Sequence, residues 1–84
     1  MHEAGIARRI LEVALERAAA AGATRITDVH LEIGVDSDVA PEAVEHYWPE
    51  LSRATPAEGS RLVFRPAVEP RAFRIVAIDV PPAP

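Results

Sequence analysis

The sequence predicts an α/β (α+β) two-layer domain: a small mixed three-stranded sheet with two helices on one face. Three observations carry this. Apolar residues recur at helical spacing through residues 3–21. Residues 25–33 read as a strand, with apolar and polar residues alternating from Asp28 to Ile33. A second helical segment then separates that strand from two further strand-like runs, an order that favours parallel pairing with a right-handed crossover.

In the first helix Ile6, Ile10, Val13 and Arg17 form one row, and Leu11, Ala14, Ala18 and Ala21 widen it. Gly22 suits the left-handed stop. In the first strand Val29, Leu31 and Ile33 alternate with Asp28, His30 and Glu32, so one face is covered and Gly34 ends the run. Residues 35–40 are acidic and turn-like. Pro41 fits the first position of a second helix, with Glu42 and Glu45 near its positive end. Pro49 conflicts with a helix interior and predicts a kink or an early end. Residues 55–59 read as a loop. Residues 60–68 and 71–80 read as strands, with Glu69-Pro70 closing a hairpin and Pro66 ending or bulging its strand. Residues 1–80 thus make one domain, and Pro81-Pro82-Ala83-Pro84 is a stiff, loose tail.

At 84 residues the chain holds one domain with a thin stability margin. It has no cysteine, which excludes disulfides, thiolate zinc or iron–sulfur sites and thiol nucleophiles, and fits a reducing cytoplasm. No apolar run is long enough for a bilayer, and charged residues interrupt any leader-like stretch at the start. A net charge of −4 without a basic cluster argues against nucleic acid. No Gly-rich phosphate loop or Ser–base arrangement is present, so the chain is not expected to be an enzyme.

The chemistry concentrates at Met1-His2-Glu3. A terminal amine titrates near pH 7.7–8.0, so a metal can displace its proton close to neutrality. The amine, the His2 amide nitrogen and the His2 imidazole can close adjacent chelate rings, with Glu3 completing the set. Such nitrogen-rich planar coordination favours Ni(II) or Cu(II). Asp36 or Asp38 adds an oxygen ligand if the loop after the first strand approaches this end; an acidic turn or cap is the plainer reading of both. His30 reads as strand surface and His46 as solvated helix surface. Trp48 reads as core on one side or, alternatively, as an exposed anchor for a partner.

Met1-His2-Glu3 followed by Ile6 and a long helix resembles the HypA/HybF nickel metallochaperones of hydrogenase maturation. So do the strand end Leu31-Glu32-Ile33-Gly34, the helix start Val39-Ala40-Pro41-Glu42-Ala43, the loop Thr55-Pro56-Ala57-Glu58-Gly59 and the final strand from Phe73 to Val80. The resemblance covers nearly the whole chain in order. It departs where that family carries a zinc domain with two Cys-x-x-Cys pairs: here only Val68-Glu69-Pro70-Arg71 stands between the last strands. Tyr47-Trp48-Pro49 also departs from the family's second helix.

The resemblance implies a nickel-domain-like fold, with His2 as main nickel ligand and the Met1 amine and Glu3 beside it. It implies Ni(II) without zinc, and delivery to a NiFe hydrogenase large subunit or through a HypB-type GTPase. A homo-oligomer is compatible with it. The alternative is a metal-free scaffold bound to a hydrogenase or a maturation partner.

Overall fold

The computed structural model describes residues 2–82. The chain runs α1 (Glu3–Ala20), β1 (Asp28–Ile33), α2 (Pro41–Ser52), β2 (Arg61–Pro66) and β3 (Phe73–Asp79). These elements form the two-layer α+β domain that the sequence predicts.

Helix α1 buries Ala7, Ile10, Leu11, Ala14 and Ala18. The three alanines keep the stripe flat enough for close packing on α2. Its end is a Schellman turn. The Gly22 N–H donates to Ala19 O and the Ala23 N–H to Ala18 O, with Gly22 at φ +68°. Helix α2 presents Val44, Trp48 and Ser52 to the same core. Together with Ile26, Val29, Leu31 and Ala57 these residues form one apolar cluster. Phe64, Phe73, Ile75 and Ile78 pack around it, half-buried.

Helix α2 neither breaks nor ends at Pro49; it continues to Ser52. The proline removes the bond that would reach the Glu45 carbonyl, and its ring crowds that carbonyl. Pro49 and Glu45 both lie on the exposed side, where water can satisfy that carbonyl.

The sheet order is β2-β1-β3. Strand β1 pairs parallel with β2, Val29 opposite Leu62 and Leu31 opposite Phe64. It pairs antiparallel with β3, Val29 opposite Ile78 and Leu31 opposite Ile75. A bulge between His30 and Leu31 leaves Val76 as the extra residue on β3. Strand β2 stops at Pro66, where the missing N–H ends the ladder.

The expected hairpin between the last two strands does not form. Residues 67–72 instead cross the end of β1 and deliver β3 to its far side. The Ala67 N–H donates to Ile33 O at 2.9 Å, the Gly34 N–H to Ala72 O at 2.8 Å and the Asp36 N–H to Pro70 O at 2.7 Å. Glu69-Pro70 lacks the positive-φ residues that a tight hairpin turn requires. Gly34 is what permits the crossing: a Cβ there would collide with the carbonyl oxygens of Glu69 and Pro70. Pro81 and Pro82 continue beyond β3 without regular structure and exposed. The rest of the expected tail, residues 83–84, lies outside the described residues.

Candidate metal centre

His2 is the N-cap of α1. Its backbone is extended (φ −83°, ψ 104°), its side chain makes no capping bond, and its carbonyl accepts the Ile6 N–H at 3.1 Å. The residue is exposed, whereas Glu3, the first helical residue, is half-buried. Glu3 is the acidic residue of the helix's first turn. Met1 lies outside the described residues.

One turn into the helix, Ile6 joins the loop after β1. Ile6, Asp36, Ser37, Asp38, Val39, Arg71 and Phe73 line a cavity of about 500 Å³. The loop thus approaches the first turn of α1, as the additional-ligand reading of Asp36 and Asp38 requires. It is held by the Asp36-to-Pro70 bond, by the Ser37 N–H donating to Gly34 O at 3.1 Å and by the Val39 N–H reaching Ser37 Oγ at 3.4 Å. Asp36 and Asp38 are both exposed. Among the described residues, neither carboxylate makes an ion pair or a capping bond. No three His, Asp or Glu side chains among the described residues converge as a preformed metal cage.

Arg71 lines the same cavity, and nothing local in the sequence announces it. It reaches the acidic loop only because residues 67–72 cross over β1. Sequence reasoning with a hairpin in mind places it elsewhere.

The other candidates lie apart from this end. His30 Nε2 meets Asp79 Oδ2 at 2.7 Å on the open face of the sheet, while its Nδ1 is buried without a partner. His46 is exposed and meets the Tyr47 ring edge-on at 5.2 Å. Trp48 is 3% exposed, and its indole N–H donates to Ser60 Oγ at 3.0 Å. The anchor reading of Trp48 is therefore corrected: its ring fills the core between α2 and the sheet and presents no face to a partner.

Ion pairs lace the open face of the sheet. The Thr27 hydroxyl and the Arg61 guanidinium hold the Asp28 carboxyl below the usual carboxylate range. Arg74 bridges Glu32 at 3.0 Å and Glu69 at 2.7 Å. That hydrogen bond lowers Glu69, and the same two carboxylates raise Arg74. Glu69 lies in the crossing segment, so this pair ties the crossing to β3.

The family model described as hydrogenase/urease nickel incorporation, metallochaperone, hypA, matches residues 1–72. The chain belongs to the HypA family. Its similarity to the hydrogenase maturation factor HypA of Roseiflexus sp. (strain RS-1) is 44% identity over 62 residues, covering 74% of this chain and 50% of that protein. With the HypA of Chloroflexus aurantiacus it is 38% over 63 residues, 75% of this chain and 55% of the relative. With that of Geotalea uraniireducens it is 38% over 63 residues, 75% and 54%. The chain spans about half the length of these HypA relatives. None of the helices among the described residues is long and apolar enough to cross a membrane.

Proposed function

We propose that this HypA-family chain carries Ni(II) as cargo at its amino-terminal turn, for insertion into a NiFe hydrogenase in the cytoplasm. The supporting observation is that Ile6, one turn into the helix that exposed His2 begins, shares a cavity with the anchored loop bearing Asp36 and Asp38. The Met1 amine, His2 amide and imidazole nitrogens supply the planar donor set, and Glu3 lies beside them. Asp38 or Asp36 supplies an oxygen from the fixed side. A site of few, exposed ligands exchanges metal quickly, as a donor requires, whereas a closed tetrahedral cage holds it. Residues 67–72 house no cysteine, so the reading is of a single domain over residues 1–80 without the family's zinc site. The acceptors proposed are the hydrogenase large subunit or a HypB-type GTPase.

Isothermal titration of the untagged chain with Ni(II), with His2→Ala and an N-terminally extended variant beside it, tests this reading. Equal uptake by His2→Ala removes the site.

A second reading, a metal-free scaffold for the same partners, is favoured by Arg71, whose cation shares the cavity with Asp36 and Asp38. It predicts that partner complexes form equally well in chelator. A pull-down with and without nickel separates the two.

A further inference from the structure

Beside the cavity at the start of α1, and sharing Ile6 and Phe73 with it, runs a second depression of about 380 Å³. It lies between α1 and the edge strand β3. Its apolar lining is Ile6, Ile10 and Val13 from the helix with Phe73 and Ile75 from the strand. From Ile6 to Arg17 it follows the helix for roughly 16 Å, about three turns.

The polar residues around it are Arg9, Arg17 and Arg74, and no acidic residue lines it. In a chain of net charge −4 this is a local inversion of sign. Arg74 is matched by Glu32 and Glu69. Among the described residues Arg9 meets only the exposed Glu12 across one turn, a pair of little worth. Arg17 has no carboxylate partner among the described residues. Its guanidinium donates to the Ile75 carbonyl at 3.3 Å.

That last bond, with the bulge at Val76, also decides what form an occupant takes. A strand added to β3 needs its outer main-chain groups free and straight. Here Arg17 occupies one carbonyl and the bulge interrupts the row. The occupant must therefore use side chains, as a helix in a groove does.

We propose that this groove docks an acidic amphipathic helix of a partner protein. The helix lays an apolar stripe on Ile10, Val13 and Ile75 and sets carboxylates against Arg9 and Arg17. This inference goes beyond the nickel reading and does not depend on it.

The test is an amide NMR titration of the 84-residue chain with a synthetic amphipathic peptide of ~18 residues, five helical turns, carrying a Leu stripe flanked by Glu. Shifts are expected at Ile6, Ile10, Val13, Arg17, Phe73 and Ile75, with a Lys-for-Glu peptide binding at least about tenfold more weakly. Val13→Glu should abolish binding. Arg17→Glu should weaken the Glu peptide by about tenfold and strengthen the Lys peptide, which keeps the test decisive even if Val13→Glu fails to fold. Equal binding of both peptides, or shifts on another surface, overturns the proposal. So does sedimentation showing a dimer that Val13→Glu splits, since the occupant is then a second copy.

Discussion

The loop after β1 and the first turn of α1 meet at one end of the molecule, and they are held in different ways. The loop is fixed by main-chain bonds: Gly34, Asp36 and Ser37 all donate to carbonyls, two of those carbonyls in the crossing segment. The first turn is held by the helix's own ladder, with the Ile6 N–H on the His2 carbonyl, and the His2 side chain makes no capping bond. In the site proposed above the loop is the rigid half and the exposed, uncapped His2 side chain the loose one, so taking up and releasing a cargo requires few residues to move.

The largest effect comes from breaking the rigid half. Gly34→Ala drives a methyl into two backbone carbonyls that no side-chain rotation can move aside. The crossing must lift, and its bonds to Ile33, Gly34 and Asp36 go with it. A loss of about 3 kcal/mol in denaturant-unfolding stability is expected. Unchanged stability would show that the crossing is not pressed on β1, and the contrast between the halves would fail.

His2→Ala addresses the loose half. The side chain makes no capping bond, so thermal stability should not change. Nickel affinity is expected to fall about a hundredfold, ~2.7 kcal/mol. A Tm that falls with the affinity would mean the turn is a structural element and not a free ligand arm.

Asp38→Asn should weaken nickel about threefold to tenfold with no change in stability, since its carboxylate makes no capping bond or ion pair among the described residues. Asp36→Asn made in parallel assigns the oxygen donor. If neither variant alters binding, the rigid half supports the site without touching the metal.

These contrasts were unequally legible in the sequence. Helix α1, the alternation of β1 and the Pro41 start of α2 follow from local periodicity and capping, which act over a few residues. The path of residues 67–72 does not. Glu69-Pro70 is compatible with a turn, and only the long-range competition for β1's two edges decides that β3 goes to the far one. Pro49 informs only in part: the helix does not end at it but runs on to Ser52, with Pro49 and Glu45 both on the exposed side. Trp48 shows the same limit, because whether a Trp anchors a partner or fills a core depends on what Ser60 and the sheet place opposite it. At the site, His2 and Glu3 are visible as a motif and the acidic loop as a turn. Arg71 beside them is a product of topology.

The smallest expected effect tests the outer brace of the rigid half. Arg74 holds the Glu69 carboxyl below its usual range by hydrogen bonding, with its charge adding to the effect. The folded state therefore binds fewer protons than the unfolded one in acid. Stabilisation from this pair is complete above the ordinary Glu value of about 4.3 and is lost as the pH falls through the lower folded-state value. Because the groups are exposed, salt screens the effect. Glu69→Gln should leave the fold intact, lower Tm slightly near neutrality and make the acid-side fall of Tm shallower. Asp28, lowered by Thr27 and Arg61 at the other end of β1, keeps its own acid dependence in the variant. The readout that separates a local brace from general acid loosening is amide exchange. Gly34 and Asp36, which donate into the crossing, should exchange faster in Glu69→Gln at neutral pH, while Val29 and Leu31 in the core should not. Parallel Tm–pH curves for the two proteins, with unchanged exchange at Gly34, would show that the main-chain bonds alone hold the rigid half.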